Sequence, residues 1–340
     1  MRLAGALFWL WATHNHFESR IWLDIVLSRP SATAPAARAK ALHTAGAVAL
    51  GQGEFARVIA LQEESLALYR GLGDTAGTAE ALLHLGRARC WRGEYTHSQA
   101  LLVESLDLFR QQETSWGVVW AVLSLGDVAL DQGDAAQALV YFEEALALSQ
   151  GDISSNAWAL INLGRVAHAL GDDIRAQMHY AQCLPLFYEY GDRRGVAMVF
   201  LDLGRVAHAQ WDEVKAHEYY AESLSIFGQF MDKQRVPECL EGIAGLADAA
   251  GRHPENVRRA VQLFGAAESL RASAGIPLPP VHRADYARDV ALVRGQLDEA
   301  TFAAAWAAGR AMTLEQAIAY ALEGSPIDSA SSTGTAAAPQ

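Results

Sequence analysis

The sequence predicts an all-α chain: a right-handed α-solenoid of about six helix hairpins with helical caps at both ends. Three observations predict it. Proline is absent from Ala36 to Leu184, and the stretch lacks the period-two alternation of strands. Gly46, Gly86, Gly126, Gly164 and Gly204 recur at spacings of 40, 40, 38 and 40, with Ala244 in the sixth place. Apolar residues keep fixed offsets from these positions: Leu42, Leu82, Val122, Leu160, Phe200 and Leu240 lie four before, and a second glycine or Trp211 lies seven after.

Residues 1–35 come first. Leu3 to Ala12 is an apolar run of ten residues, too short for a bilayer core that takes about 20. Thr13-His14-Asn15-His16 offers no small-x-small cleavage site. With the second apolar run, Ile21 to Leu27, it predicts a buried helical hairpin that caps the array. His14-Asn15-His16 has the letters of a nuclease motif but neither the strand-strand-helix setting nor a third ligand.

Residues 36–250 carry the repeats. In each, a first helix holds apolar residues at −4, −1 and +3 from the repeat glycine, one face at helical period. A glycine inside a helix costs about 1 kcal/mol against alanine, so its recurrence predicts a close approach by the second helix. That second helix starts after Gly133-Asp134 and its counterparts, with Asp134 as cap and Gln137 three residues on. Gly73-Asp74, Gly151-Asp152 and Gly191-Asp192 then combine a left-handed stop with the next N-cap. Pro185 falls inside a second helix and should kink it. No hairpin can bury its apolar face alone, so the copies must stack.

Residues 251–323 leave this rhythm. Ile276-Pro277-Leu278-Pro279-Pro280 is a rigid extended break. Helices follow around 284–297, 301–310 and 314–322, the last capped by Thr313 with Gln316. This is the closing cap. Residues 324–340, rich in Ser, Thr, Ala, Gly and Pro, should be disordered.

Composition narrows the function. Lys+Arg 27 against Asp+Glu 39 gives a net charge of −12, which argues against direct nucleic-acid binding. Cys90, Cys183 and Cys239 have no paired spacing, an intracellular pattern that fits neither a disulfide framework nor a zinc knuckle. The only lysines, Lys40, Lys215 and Lys233, do not follow glycine, so no Gly-Lys-Ser/Thr phosphate loop is present.

A stack of this kind binds along its first helices. The offsets −6, −3, +1, +4 and +5 should be free of the core. They bring up Arg87, Trp91, Trp120, Asp127, Asp131, Trp158, Arg165, His168, Arg205 and His208 as a partner-binding groove centred on residues 80–210. Tryptophan and arginine are common interface anchors, and arginines can grip carboxylates bidentately. The competing expectation is that the tryptophans fill gaps and the arginines are solvated. His168 and His208 repeat within Arg-Val-Ala-His-Ala, with Asp172 and Asp212 four residues on. Duplication and helix capping account for that pair better than a metal or acid–base site. No catalytic, cofactor or metal residue is expected, and no Gly-x-Ser-x-Gly elbow occurs.

The best copy, Ala121 to Ser149, with Leu125-Gly126, Gly133-Asp134, Ala138, Phe142 and Ala145-Leu146, resembles the tetratricopeptide repeat (TPR). The small–aromatic–small pattern recurs at Ala176, Tyr180, Cys183 and at Ala216, Tyr220, Ser223, and weakens at Val58, Gln62, Ser65 and at Ser98, Leu102, Ser105. The flanks, Leu7-Phe8-Trp9-Leu10-Trp11 with Glu18 to Leu23, and Leu263 to Arg271 with Gly275-Ile276-Pro277-Leu278-Pro279-Pro280 and Ala305 to Arg310, are similar to the C-terminal TPR regions of bacterial LuxR/AfsR-type signalling-ATPase transcriptional regulators. The resemblance implies a cytoplasmic, non-catalytic sensor or interaction arm for a protein or peptide partner, such as an ATPase or DNA-binding regulator domain. It implies no membrane association, and this stretch carries neither of those domains. The alternative is a sensor in which Trp120, Trp158 and Arg165 enclose an anionic metabolite.

Overall fold

The structure, a computed structural model, describes residues 22–25, 27–28, 34–246 and 254–323. Among these the secondary structure is helical, with no strand. The expected N-terminal hairpin lies outside the described residues except for 22–25 and 27–28, which are helical; Leu23 is buried against Ala45 and Val48. The expected tail at 324–340 also lies outside them. The chain forms two compact units, Met1–Leu170 with Ala274–Val281, and Gly171–Ser273 with His282–Gln340.

The first unit contains α1 (Pro35–Gly51), α2 (Phe55–Leu72), α3 (Thr75–Trp91), α4 (Tyr95–Gln111), α5 (Ser115–Asp131), α6 (Ala135–Leu148) and α7 (Ile153–Ala169). Each helix packs on the next, and each first helix also touches the first helix that follows, α1 on α3, α3 on α5, and α5 on α7. The repeat glycines sit where expected. A Cβ on Gly46 would lie 2.5 Å from Gln62 Nε2, one on Gly86 2.7 Å from Leu102 Cγ, and one on Gly126 2.7 Å from Phe142 Cζ. The close approach therefore comes from one large side chain of the second helix.

Two further features hold the hairpins. Gly77 and Gly117 form a second glycine register, lying against the rings of Tyr69 and Phe109 of the preceding helix. The serines at the last small position of the weaker copies are bonded: Ser65 Oγ donates to the Ala39 carbonyl and Ser105 Oγ to the Ala79 carbonyl, both at 2.8 Å. Asp74, Asp134 and Asp152 cap α3, α6 and α7 as expected. The 38-residue spacing is explained by α6, which is 14 residues long against 17 for α4, and by a following turn that is one residue longer.

The second unit contains α8 (Asp173–Tyr190), α9 (Arg193–Ala209), α10 (Glu213–Gln229), α11 (Val236–Gly245), α12 (Pro254–Ala274, whose last residue joins the first unit), α13 (Arg283–Arg294), α14 (Glu299–Arg310) and α15 (Leu314–Leu322). The repeat logic continues: Gly204 faces Tyr220, Gly195 faces Phe187, and Ser223 Oγ donates to the Ala197 carbonyl. α8 runs through Pro185 to Tyr190. The proline removes one ladder hydrogen bond without ending the helix.

α15 packs on α10 and α11, with the Thr313–Gln316 capping box at its start. α12 and α14 cross almost backbone to backbone. A Cβ on Gly265 would strike the Trp306 carbonyl, and one on Gly309 the Gln262 carbonyl. This explains the Phe264-Gly265-Ala266 and Ala308-Gly309 stretches: small residues admit the crossing.

Candidate functional site

In the first unit α3, α5 and α7 place Arg87, Trp120, Asp127, Trp158 and Arg165 along one row. The Arg87 guanidinium lies over the Trp120 ring, 5.7 Å from its centroid. The Trp120 and Trp158 centroids are 6.4 Å apart, with the rings tilted by 55°. Arg165 donates to Asp127 Oδ1 at 3.3 Å and to Asn162 Oδ1 at 2.9 Å. Cys90 Sγ lies 3.7 Å from Asp131 Oδ2, and burial with that carboxylate beside it pushes the thiol pKa up. His168 is half-buried on the last turn of α7.

Offset +1 of α3 meets offset −6 of α5 where Arg87 lies over Trp120, 33 residues on. Arg205 and Glu238, also 33 apart, repeat it in the second unit.

Three expectations need correction. Offset −3 is not free: Leu83, Leu123, Ile161 and Leu201 are buried, as are Cys90 and Leu130 at +4 and Asp131 at +5. Successive first helices pack on one another, and these positions fall within the packing. Trp91 stacks on Phe55 at 5.9 Å beside Ala49, Val58 and Ala88, filling core space while Trp120 and Trp158 pair with each other. Arg165 and Arg205 are not open cations, because each is already bonded to carboxylates of its own unit.

In the second unit Arg205 bonds Asp202 at 2.8 Å and Glu238 at 2.5 Å, and Arg235 bonds Glu238 at 2.8 Å. Arg271 grips Glu241 bidentately at 2.6 and 2.7 Å. Burial alone would raise the Glu238 pKa, but Arg235, Arg205 and Arg271 outweigh it and hold the carboxyl well below the usual range. Burial likewise opposes the Arg205 charge, and Glu238 with Asp202 more than restores it. His208 Nδ1 lies 3.4 Å from Glu213 Oε2. Asp172 and Asp212 are N-caps, accepting the backbone N–H of Arg175 and Lys215; their repetition with His168 and His208 is one of capping.

Sequence reasoning missed a second polar cluster. His43 and His84 stack with centroids 4.9 Å apart and planes 6° from parallel. Gln62 lies between them, its Oε1 3.2 Å from His43 Nδ1 and its Nε2 3.3 Å from His84 Nδ1. Glu80 Oε2 lies 3.3 Å from His43 Nε2. Burial lowers the His43 pKa to about 4 and takes His84 down as well, so both rings are neutral at neutral pH. The signal was Gln62, polar where Leu102 and Phe142 occupy the same register.

The tetratricopeptide-repeat family model matches residues 77–151 and 155–229. Two sequences of Mycobacterium tuberculosis and one of Mycobacterium bovis that bear the name HTH-type transcriptional regulator are 37% identical over 91 residues, 27% of this chain. The match spans a tenth of those relatives' length. Among solved structures, the Rap conjugation gene regulator of plasmid pLS20 in complex with the Phr* peptide aligns at a TM-score of 0.64 and 16% identity, over 80% of this chain and 72% of that one. A Rap protein complexed with competence and sporulation factor aligns at 0.56 and 14%, over 81% of each. Aspartyl phosphate phosphatase F of Bacillus subtilis aligns at 0.56 and 13%, over 83% and 72%. At these identities the likeness is one of fold. Over residues 77–151 and 155–229 the chain is built of tetratricopeptide repeats.

Proposed function

We propose that the repeats form a non-catalytic recognition module that docks a protein or peptide partner on the row of α3, α5 and α7. Arg87 carries this reading. Its guanidinium lies over Trp120 and, among the described residues, has no ion pair within 4 Å and no hydrogen bond. Arg165 and Arg205 are satisfied within their units, so Arg87 is the cation of the three left for a ligand. Burial lowers its pKa, and Asp127 is the main group opposing that shift. A half-buried cation on an aromatic face gains most from an anion that completes it. An acidic side chain of the partner beside an apolar one matches Arg87 next to the Trp120–Trp158 pair. Asp127 lies within the row, and Asp131 and His168 flank it.

Support comes also from the fold. The pLS20 Rap regulator shares it and was solved with a peptide. The partial match to HTH-type regulators supports a place as the regulatory arm of a bacterial transcription-regulator or signalling-ATPase system of LuxR type, in the cytoplasm, with an ATPase or DNA-binding domain as partner.

The test is a displayed random-peptide library panned on the whole chain. Selected peptides should share an acidic residue beside an apolar one. Arg87→Glu should weaken them at least tenfold with an unchanged unfolding midpoint. Equal binding by wild type, Arg87→Glu and Trp158→Ala would remove the site. Saturable tryptophan quenching by small carboxylates, with no peptide selected, would favour the metabolite sensor.

A further inference from the structure

The segment between α12 and α13 belongs to the first unit although its sequence neighbours on both sides belong to the second. It reads Ala274-Gly275-Ile276-Pro277-Leu278-Pro279-Pro280-Val281. Ile276 is 4% exposed and sits in one cluster with Ala49, Phe55, Val58 and Ala88, with Trp91 packed against it. Those residues come from α1, α2 and α3. Pro277 lies against the turn between α3 and α4, where a Cβ on Gly93 would come within 2.9 Å of its Cγ. Gly275 has φ +67° and lies near the Arg92 guanidinium, where a Cβ would be 3.6 Å from one of its terminal nitrogens.

This is an extended peptide seated on a helical repeat. One β-branched side chain enters an apolar socket, and the prolines after it fix the backbone in a conformation that loses little entropy on binding. Its neighbours Gly275 and Pro277 are exposed, so the seat depends on a single fully buried anchor. None of the socket residues belongs to the row assigned to partner docking, since Trp91 packs on Phe55.

We propose that this socket is an exchangeable peptide-binding site, held in cis by Ile276-Pro277-x-Pro279, and that its external ligand is an extended partner segment carrying a β-branched residue followed by Pro-x-Pro. Tethering gives the cis segment an effective concentration on the order of millimolar. An external peptide of equal intrinsic affinity is therefore excluded until the strap is released. The surface is gated by the chain's own sequence.

The experiment uses the full chain and a fluorescein-labelled synthetic peptide of residues 273–282, Ser-Ala-Gly-Ile-Pro-Leu-Pro-Pro-Val-His, read by anisotropy. Ile276→Asp in the chain should release the strap and bind the peptide at least tenfold more tightly than wild type. The same peptide with aspartate in place of its isoleucine should not bind either chain. Binding should perturb Trp91 emission and should be unchanged by Arg87→Glu, which separates this site from the docking row. A folded Ile276→Asp chain that binds the peptide no better than wild type would overturn the proposal and leave the segment a fixed linker. Should Ile276→Asp not fold, Ile276→Ala serves instead. It should bind the peptide more tightly than wild type, and equal binding would overturn the proposal in the same way.

Discussion

Gly126 of α5 sits beneath the ring of Phe142 of α6, so close that a Cβ on the glycine would lie 2.7 Å from Cζ and closer still to Cε1. Phe142 is fully buried and cannot swing away. Gly126→Leu should therefore destabilise the chain by more than about 2 kcal/mol through overpacking. Urea unfolding read by circular dichroism measures this, and a near-neutral result would refute the close-approach account of the repeat.

Trp211 occupies the register of Gly53, Gly93, Gly133 and Gly171, and adopts φ 62°. It is 82% exposed, so little packing offsets the left-handed backbone. Trp211→Gly should raise stability by roughly 0.5–1 kcal/mol, since a non-glycine residue at positive φ costs about 1–2 kcal/mol and glycine returns part of that gain through unfolded-state entropy. Differential scanning calorimetry should show a higher Tm.

Glu238 is buried between Arg205 and Arg235. Glu238→Gln leaves two guanidinium groups short of their anion and should cost about 3–5 kcal/mol. The folded pKa lies below the unfolded value of about 4.3. The contribution of this carboxylate is thus present above about pH 4.3 and is lost as pH falls through the folded value. Stability measured against pH should drop less steeply on the acid side in Glu238→Gln than in wild type.

His43 works in the opposite pH direction from a histidine that gains a partner. Burial brings its folded pKa to about 4, below an unfolded value near 6.5. Above pH 6.5 the ring is neutral in both states. As pH falls towards 4 the unfolded chain takes up a proton that the folded chain refuses, and stability is lost. From pH 7.5 to 5.0 this one group should cost about 2 kcal/mol, with His84 adding in the same direction. Urea midpoints at the two pH values measure the loss. His43→Gln should flatten the dependence, and a flat wild-type profile would contradict the buried neutral ring.

Much of this was legible in the sequence because it is periodic. The glycine register, the aspartate caps and the Thr313–Gln316 box each repeat a local rule, and the structure keeps them. The docking row was legible only in part. The sequence shows which residues share a first-helix face; it does not show how much of that face the next first helix covers. That is why Leu83, Leu123 and Ile161 are core, and why Trp91 packs on Phe55. The Arg205–Glu238 pair was hidden for another reason: its partners lie 33 residues apart in different copies, and only stacking brings them together. The weaker copies depart from the pattern at Gln62 and Leu102, whereas Ser65 and Ser105 keep its small position and hydrogen-bond across the hairpin.

The helices α1, α3, α5, α7 and α9 are all 17 residues long, whereas α2, α4, α6, α8 and α10 vary from 14 to 18. Length drift is thus confined to the second member of each pair, and the first members keep one constant length. Losses and gains of chain are absorbed in the second helices, and the register of the repeat glycines along the first helices is left in place.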